Sequence, residues 1–273
     1  MDIFCTSLVD TRTTECCQPE FGLSLLIEAY GKRFLLDTGQ GKTLQANASA
    51  LGVDLSSLDA VVLSHGHYDH TGGLDALAPQ CPVYAVKGVS APCFSRRDDG
   101  VQHWISMPEE ASRFLKKSDL RIIDGFTELF PGIFVTGPIP RTSGEDCGGH
   151  FFTDDTCTTP HAVPEEQSIL LQDGILITGC CHAGVINTVE ACRRARPDIP
   201  IRAIIGGLHL LHAGQKRLEQ TAEYLSRLPL EQVVLMHCTG DEAGEFLQSR
   251  LKCRVYWGKA GQRETLLQPD TKK

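Results

Sequence analysis

The sequence predicts a layered fold in which strands and helices are mixed, of the α/β or α+β class. Short apolar segments with strand character recur along the chain, and segments with helical periodicity lie between them. Each half of the chain begins with strands and then mixes strands with helices, which disfavours an all-α and an all-β fold. With 273 residues, of which 41% are hydrophobic, the chain can bury a core without disulfide bonds.

The first third of the chain is rich in predicted strands. Residues 21–30 and 33–37 flank a Gly31-Lys32 turn and are typical of a hairpin. Residues 60–64 form a short apolar run, which suits a strand that is buried on both faces. The same third also contains a predicted helix at 42–51 and a further predicted strand at 82–86.

Residues 88–165 are predicted to form a loop-rich insert within a single domain that covers residues 1–273. The segment contains many polar residues, glycines and prolines and has little periodicity, apart from a short strand expected near 133–136. Long loops on a rigid scaffold often cover an active site, so residues 141–164 are a candidate lid. Disorder of this segment in the free protein is the alternative.

The C-terminal part begins with a predicted hairpin, formed by residues 168–171 and 174–178 around Asp173-Gly174. Beyond it, apolar strands alternate with amphipathic helices. Helices are predicted at 185–194, 217–228 and 241–251, and strands at 201–205, 233–236, 254–257 and 265–267.

The charge and composition limit the classes of partner. The formal net charge is −8 and the sequence pI is about 5.7, and no long cluster of basic residues exists, so nucleic-acid binding is not expected. A small anionic substrate held by a local metal charge fits better. No apolar run of about 18 residues is present, and residues 1–5 lack the features of a signal peptide. We therefore expect a cytoplasmic protein that does not bind membranes, and a homodimer is considered as its assembly.

Twelve cysteines are a high number for a chain in which no export signal is found. In the reducing cytosol, free thiols or metal ligands are expected rather than disulfides. Cys180, Cys181 and Cys238 stand out because each lies within two residues of a candidate histidine. The others are expected to be ordinary buried or surface thiols.

The clearest functional signal is an HxHxDH motif that directly follows the predicted strand at 60–64. In extended backbone, positions i and i+2 point the same way, so His65 and His67 can hold one ion together. The turn that follows sends Asp69 and His70 to a neighbouring point. Imidazole and carboxylate groups are good ligands for Zn²⁺, Mn²⁺ and Fe²⁺, so the motif predicts a metal site.

Together with the Leu-Asp-Thr-Gly sequence at 36–39, the motif resembles the metallo-β-lactamase superfamily. This resemblance implies a four-layer αββα sandwich. Other motifs resemble one branch, often labelled 7,8-dihydropterin-6-ylmethyl-4-(β-D-ribofuranosyl)aminobenzene 5′-phosphate synthase or metal-dependent hydrolase. These motifs lie at residues 22–24, 178–184, 187–188, 206–210 and 237–240. The resemblance spans most of the chain but skips the insert.

The resemblance also implies a centre of two divalent metal ions, with zinc as the expected metal and manganese or iron as alternatives. The implied ligands are His65, His67 and His182 for the first ion, and Asp69, His70 and His237 for the second. Both distant histidines follow apolar strands in this sequence, a usual position for ligands in layered α/β sheets.

The sequence departs from the pattern of its relatives at two places. Many superfamily hydrolases carry a Gly-Asp whose aspartate bridges both ions, whereas this chain has Gly179-Cys180. Cys180 is therefore a candidate ligand, and a buried thiol is the alternative. The branch often has Glu-His-Gly before Leu-Ser, but the histidine position is Phe21 here.

Two further residues are candidates for the site. Asp37 is expected to accept a hydrogen bond from a ligand imidazole, which would orient the ring and raise its basicity; the alternative is a cap of the adjacent turn. His209 follows a predicted strand and a Gly-Gly pair, and it is a candidate general acid or a donor to a substrate phosphate; the alternative is a structural histidine. The remaining histidines are expected at the surface, with His161 noted for its place in the candidate lid: His103, His150, His161 and His212.

The favoured function is hydrolysis of a small phosphoester or related ester by metal-activated water. Asp69 would bind a metal and orient the water. A first alternative is a transferase that condenses a dihydropterin diphosphate with an aminobenzene riboside phosphate. A second alternative is an iron-based redox or sensing protein that uses the neighbouring cysteines. Hydrolysis of β-lactams is not expected, because no export signal is found.

Overall fold

Two seven-stranded sheets form the centre of the structure, a computed structural model that describes residues 2–96, 100–145, 147 and 149–267. In chain order the strands are β1 (Phe4–Val9), β2 (Ser24–Ala29), β3 (Lys32–Leu36), β4 (Ala60–Val62), β5 (Val83–Val86), β6 (Phe94–Arg96), β7 (Gln102–Trp104), β8 (Leu120–Ile123), β9 (Thr127–Phe130), β10 (Ile133–Val135), β11 (Phe151–Phe152), β12 (Ile169–Leu171), β13 (Ile175–Thr178), β14 (Ala203–Gly206), β15 (Gln232–Leu235), β16 (Arg254–Trp257) and β17 (Arg263–Thr265). The spatial order is β17-β1-β2-β3-β4-β5-β8 in the first sheet and β16-β15-β14-β13-β12-β10-β9 in the second, and β11-β6-β7 form a small third sheet.

Six α-helices lie among the described residues: α1 (Leu44–Ala50), α2 (Tyr68–Thr71), α3 (Glu109–Leu115), α4 (Val185–Ala195), α5 (Gln215–Ser226) and α6 (Asp241–Arg250). None of the described helices is long and apolar enough to cross a membrane.

The central strands of both sheets are buried on both faces, which explains the apolar runs in their sequences. Alternate residues of a strand point to opposite faces, so Leu36 of β3 and Ile205 of β14 meet in the core between the two sheets. Their neighbours point outward: Leu35 packs in the cluster that contains α1 and α3, and Ile204 packs in the cluster under α4, α5 and α6. The layers follow the order helix, sheet, sheet, helix, which confirms the αββα sandwich.

The two predicted hairpins are present. β2 and β3 pair antiparallel around a turn in which Tyr30 and Gly31 both have positive φ, 51° and 77°, as a type I′ turn requires. β12 and β13 pair antiparallel in the same way. The last predicted strand, at 265–267, lies two residues earlier in the structure, where β17 covers Arg263–Thr265. β17 pairs with β1. The sequence pattern did not predict β1.

The segment 88–165, predicted as a loop-rich insert, contributes more to the framework than expected. β8 extends the first sheet beside β5, and β9 and β10 form the edge of the second sheet beside β12. Helix α3 buries Ala111 and Leu115. The remaining strands, β6, β7 and β11, form the small third sheet. An isolated β-bridge between His67 and Ser106, which follows β7, connects this region to the motif loop.

The carboxyl ends of parallel strands determine where the functional residues meet. β3 runs parallel to β4 in the first sheet, and β13, β14 and β15 run parallel in the second. The loops that leave these strands carry all the candidate site residues. Because parallel strands end at the same edge of a sheet, the loops converge.

Candidate metal centre

The HxHxDH motif forms the loop between β4 and α2 and the first turn of α2. Its first two histidines precede the helix, whereas Asp69 and His70 lie within it. All four side chains are buried. Gly66 separates the first two histidines, and a Cβ atom there would stand 2.1 Å from the carbonyl oxygen of Val89. Only glycine therefore lets the loop pass this close to its neighbour.

A first group of ligand atoms, which we call the imidazole sub-site, consists of His65, His67 and His182. Nε2 of His65 lies 3.0 Å from Nδ1 of His67 and 3.1 Å from Nε2 of His182. The three nitrogens lie within 4.8 Å of one another. His182 follows β13, so the two sheets each supply part of this sub-site.

A second group, the carboxylate sub-site, consists of Asp69, His70 and His237. Nε2 of His237 lies 3.2 Å from Nε2 of His70 and 3.4 Å from Oδ2 of Asp69. The distance between Asp69 Oδ2 and His70 Nε2 is 3.8 Å. His237 follows β15 and has a positive φ of 48°, which turns its ring back towards the motif loop.

The two sub-sites are adjacent. The rings of His65 and His70 have centroids 4.2 Å apart. Cys180, which follows β13, lies between them, with Sγ 3.1 Å from Nε2 of His70. The six histidine and aspartate residues that the sequence predicted as ligands are thus brought into one buried cluster, together with Cys180.

Asp37 links the two sub-sites from behind. Its Oδ2 accepts a hydrogen bond from Nδ1 of His70 at 2.6 Å and another from the Ser64 hydroxyl at 2.6 Å. The same hydroxyl accepts a hydrogen bond from Nδ1 of His65 at 2.8 Å. Both histidines are therefore protonated on Nδ1, which leaves both Nε2 lone pairs free for a metal. The sequence suggested a role for Asp37 but did not reveal Ser64 as the relay.

The histidines of the imidazole sub-site are neutral. Burial lowers the pKa of His67 to about 3 and lowers the pKa values of His65 and His182 well below their ordinary range. A neutral imidazole offers a lone pair and carries no proton that a metal would have to displace.

The carboxylate sub-site carries charge. Burial alone would raise the pKa of Asp69, but the nearby His70 and His237 lower it overall, so its carboxylate is ionised. Burial alone would lower the pKa of His237, but the hydrogen bond with Asp69 and the charges of Cys238, Asp69 and Asp10 raise it to about 9. Without a metal, His237 therefore holds a proton that balances Asp69.

Two backbone anchors hold the distant histidines in place. The carboxylate of Glu166 accepts hydrogen bonds from the backbone N–H groups of His182 and Ala183, both at 2.5 Å. Oδ1 of Asp10 accepts one from the backbone N–H of His237 at 3.3 Å. Burial raises the pKa of Glu166 to about 7. Neither acid could be predicted from the sequence, because neither lies in a motif and no sequence pattern marks a charged residue as buried.

A third anchor comes from the small sheet. Nδ1 of His67 faces the sub-site, so Nε2 is its outward nitrogen and donates towards Sγ of Cys93 at 3.4 Å. The same sulfur lies 3.6 Å from Nδ1 of His161. The His161 side chain is only 8% exposed, so the expectation of a surface histidine was wrong. The candidate lid therefore contacts Cys93, which in turn contacts the candidate ligand His67.

His209 lies at the entrance to the cluster and is half-buried. Its ring centroid is 4.3 Å from that of His182, and it forms a side-chain hydrogen bond with Cys238. His103, His150 and His212 take no part in the metal-ligand groups found among the described residues.

Two phenylalanines border the same entrance. Phe151 of β11 packs against His67 and His182, with ring centroids 5.1 Å away in each case. Phe21 lies beside His237, with ring centroids 4.9 Å apart and the ring planes tilted by 57°, and is 47% exposed. An exposed aromatic ring next to a polar cluster is a feature of binding sites.

The residues present fit a pair of divalent metal ions. Nitrogen atoms of the neutral His65, His67 and His182 rings point at each other at 3.0 and 3.1 Å, a crowding of lone pairs that a cation at their centre would relieve. The donor set consists of imidazole, carboxylate and thiol groups, which are the ligands that zinc takes in proteins.

Comparisons with known proteins identify the family of the chain. The family model described as the metallo-beta-lactamase superfamily matches residues 17–237. The chain belongs to this superfamily. An uncharacterised protein of Methanocaldococcus jannaschii is 32% identical over 238 residues, which cover 86% of this chain and 90% of that protein. A second protein of the same organism, 7,8-dihydropterin-6-methyl-4-(β-D-ribofuranosyl)-aminobenzene-5′-phosphate synthase, is 26% identical over 257 residues and 85% of each chain.

Solved structures of the superfamily share the fold. Tm1679, a metal-dependent hydrolase of the β-lactamase superfamily, superposes with a TM-score of 0.85 and 26% identity over 96% of this chain and 98% of that chain. A diphosphatase of the PhnP family superposes with a TM-score of 0.55 and 17% identity over 97% of each chain, a likeness that concerns the fold alone.

Proposed function

We propose that this metallo-β-lactamase superfamily member is a dinuclear-metal-dependent hydrolase that acts on a small phosphoester or related ester. One observation carries the proposal: the imidazole and carboxylate sub-sites are side by side, with the His65 and His70 rings 4.2 Å apart. Adjacent sub-sites suit chemistry in which two ions act on one substrate. Zinc is the metal that matches the donors best, and manganese and iron are the alternatives.

The chemistry divides between the ions and the chain. Two bound divalent ions would lower the pKa of a water molecule and neutralise charge on the substrate oxygens. Asp69, kept ionised by its neighbours, would orient the attacking water. His209, half-buried beside His182, is positioned to donate a proton to the leaving oxygen. Since the chain as a whole carries a net charge of −8, an anionic substrate would be attracted only by local positive charge at this centre.

The test measures metal content per chain in protein purified without chelator or added metal, beside the variants His67→Ala and His182→Ala. We expect about two ions per chain in the wild-type protein and fewer in both variants. His212→Ala is the matched control, because His212 is exposed and outside the ligand groups. A phosphoester screen follows, and hydrolysis should be lost in the same two variants but kept in the control.

Absence of metal above background, even after reconstitution, would overturn the proposal. Iron with a redox-sensitive absorption would instead favour the iron-based alternative. Zinc or manganese in the wild-type protein with unchanged content in both variants would show that the metal binds elsewhere.

A transferase is the second candidate, and the aromatic entrance favours it. Phe21 and Phe151 offer ring faces on two sides of the cluster, and a flat heteroaromatic group such as a pterin can stack on such faces. The synthase relative, at 26% identity, bears a name that describes such a product. In this reaction the incoming aminobenzene riboside phosphate would displace diphosphate from the pterin.

Product analysis separates the two candidates. The protein is incubated with a dihydropterin diphosphate, with and without the aminobenzene riboside phosphate. A coupled product that forms only with both compounds would establish transfer, whereas free pterin alcohol in both reactions would establish hydrolysis. Phe151→Leu should raise KM for a pterin substrate more than it lowers kcat, if stacking binds the ring.

A further inference from the structure

The position of the Cys180 sulfur within the cluster bears on which metals the centre accepts. Sγ of Cys180 belongs to three candidate ligand groups: one with His65 and His70, one with His182 and His209, and one with His237 and Cys238. Within each group all ligand atoms lie within 4.8 Å of one another. One sulfur atom is therefore close to ligands of both sub-sites at the same time.

The backbone at Gly179, directly before Cys180, passes very close to Ser64 and Asp37, and this contact places the Cys180 sulfur in the centre. A Cβ atom at Gly179 would stand 2.1 Å from the Ser64 hydroxyl and 3.0 Å from Oδ2 of Asp37. Glycine at this position lets the loop after β13 press against the Asp37–Ser64 relay, and Cys180 then projects between His65 and His70. The next residue, Cys181, has a positive φ of 67°, which turns the chain in the opposite direction.

The two neighbouring cysteines have other partners. Cys181 is buried in the outer core with α4 and lies 3.4 Å from the Thr188 hydroxyl. Sγ of Cys238 lies 3.4 Å from the backbone carbonyl oxygen of Cys180, and Cys238 contacts His209. Only Cys180 of these three has its sulfur within hydrogen-bonding distance of a predicted ligand nitrogen, that of His70, among the described contacts.

We propose that Cys180 is a thiolate ligand shared by the two sub-sites, and that the centre therefore prefers thiophilic ions such as Zn²⁺ or Cd²⁺ to Mn²⁺. The inference rests on the proposed dinuclear centre and adds one ligand to it. Soft thiolates favour zinc-like ions, whereas oxygen donors favour manganese. On coordination the S–H bond breaks, the sulfur electron pair binds the metal and the proton leaves to solvent. No oxidant or reductant is consumed.

Zinc K-edge X-ray absorption of the purified holoprotein provides the direct test. We expect a sulfur shell at about 2.3 Å, the usual Zn–S distance, beside nitrogen and oxygen scatterers. Cys180→Ser should lose the sulfur shell, and Cys181→Ser should keep it. Cys181→Ser is the matched control because it makes the same substitution at the adjacent buried residue. Circular dichroism and thermal unfolding of both variants are the check that they are folded.

Metal competition gives an independent readout. In the wild-type protein and in Cys181→Ser we expect Cd²⁺ to displace Mn²⁺. In Cys180→Asp, which replaces the thiolate with a carboxylate, the ratio of Cd²⁺ to Mn²⁺ affinity should fall at least about tenfold. Folding of Cys180→Asp is verified by its retained metal stoichiometry, so a change in preference is not confused with unfolding.

The outcomes separate the failure of this inference from the failure of the proposed function. Two ions without a sulfur shell would overturn the thiolate ligand but leave the dinuclear centre intact. A sulfur shell that persists in Cys180→Ser and disappears in Cys238→Ser would assign the ligand to Cys238 and overturn the proposal for Cys180. Failure of the wild-type protein to bind any metal would overturn both the centre and its thiolate.

Discussion

The imidazole and carboxylate sub-sites share one motif loop but differ in charge. Burial keeps the three rings of the imidazole sub-site neutral. The carboxylate sub-site holds the ionised Asp69 and, without a metal, a protonated His237. Two adjacent candidate ion sites that differ by one carboxylate can therefore differ in affinity and in pH dependence. An ion must first displace the His237 proton from the carboxylate sub-site, and the ionised Asp69 that remains then attracts the cation more strongly than neutral imidazoles do.

Asp69→Asn should have the largest effect, because it removes the charge that distinguishes the carboxylate sub-site. Loss of a partner behind a metal ligand typically costs 10- to 100-fold, so loss of the ligand charge itself should lower kcat/KM by more than about 100-fold. Metal content should fall to about one ion per chain. Asp75→Asn is the control, since Asp75 is exposed in the turn that follows α2. Two retained ions would show that the sub-sites are not distinguished by this carboxylate.

Asp37→Asn should have the next largest effect and should weaken both sub-sites together. Asp37 accepts from Nδ1 of His70 directly and from His65 through Ser64, so its loss disturbs a ligand of each ion. We expect metal affinity to fall about 10- to 100-fold at both sub-sites. Ser64→Ala interrupts only the path to His65 and should weaken the imidazole sub-site alone. Equal effects of the two variants on the two ions would disprove the relay.

The four candidate ligands of the HxHxDH motif could be predicted from the sequence because they lie within six consecutive positions. His65, His67, Asp69 and His70 lie within one loop and one helical turn, so local geometry already places them together. His182 and His237 come from loops more than a hundred residues away in sequence, and the resemblance to a family, not the local pattern, suggested their roles.

The supporting residues could not be predicted, because long-range packing creates their roles. Glu166 and Asp10 bind backbone N–H groups of distant loops, and Cys93 meets His67 only because the small third sheet folds over the motif. Similar limits apply to the fold. Apolar runs revealed the central strands, whereas β8, with three of its four residues exposed, has no such signal.

The pH dependence of metal binding should also differ between the two sub-sites. His237 has a pKa raised to about 9 in the metal-free chain, with Asp69, Cys238 and Asp10 as the charged groups that face it. Its neutral, ligating form becomes scarcer as the pH falls below that value. Affinity at the carboxylate sub-site should therefore fall about tenfold for each pH unit from 9 towards 6.

Affinity at the imidazole sub-site should stay nearly constant over the same range, because the pKa of His67 is about 3. Competition with a chelator of known affinity at pH 6, 7, 8 and 9 measures both slopes. The same titrations in the Cys180→Ser variant exclude the Cys180 thiol proton from the number of protons that metal binding releases. Parallel slopes at the two sub-sites would contradict the charge difference between them.

Cys93→Ala should have the smallest effect and should act on one sub-site only. The thiol accepts from Nε2 of His67 at 3.4 Å and so fixes the ring that presents Nδ1 to the imidazole sub-site. Because sulfur is a weak acceptor, we expect a loss of less than about tenfold in metal affinity there, below the usual range for such partners. The carboxylate sub-site should be unaffected.

Cys93→Ser restores a hydrogen-bond acceptor and should recover much of that affinity, which simple loss of packing would not allow. Cys253→Ala is the control, because Cys253 is half-buried beside β16 and makes no contact with the metal ligands among the described residues. Two-phase Co²⁺ titrations measure the sub-sites separately. If Cys93→Ala weakened the second phase as much as the first, the small third sheet would support the whole centre, and the independence of the two sub-sites would have to be abandoned.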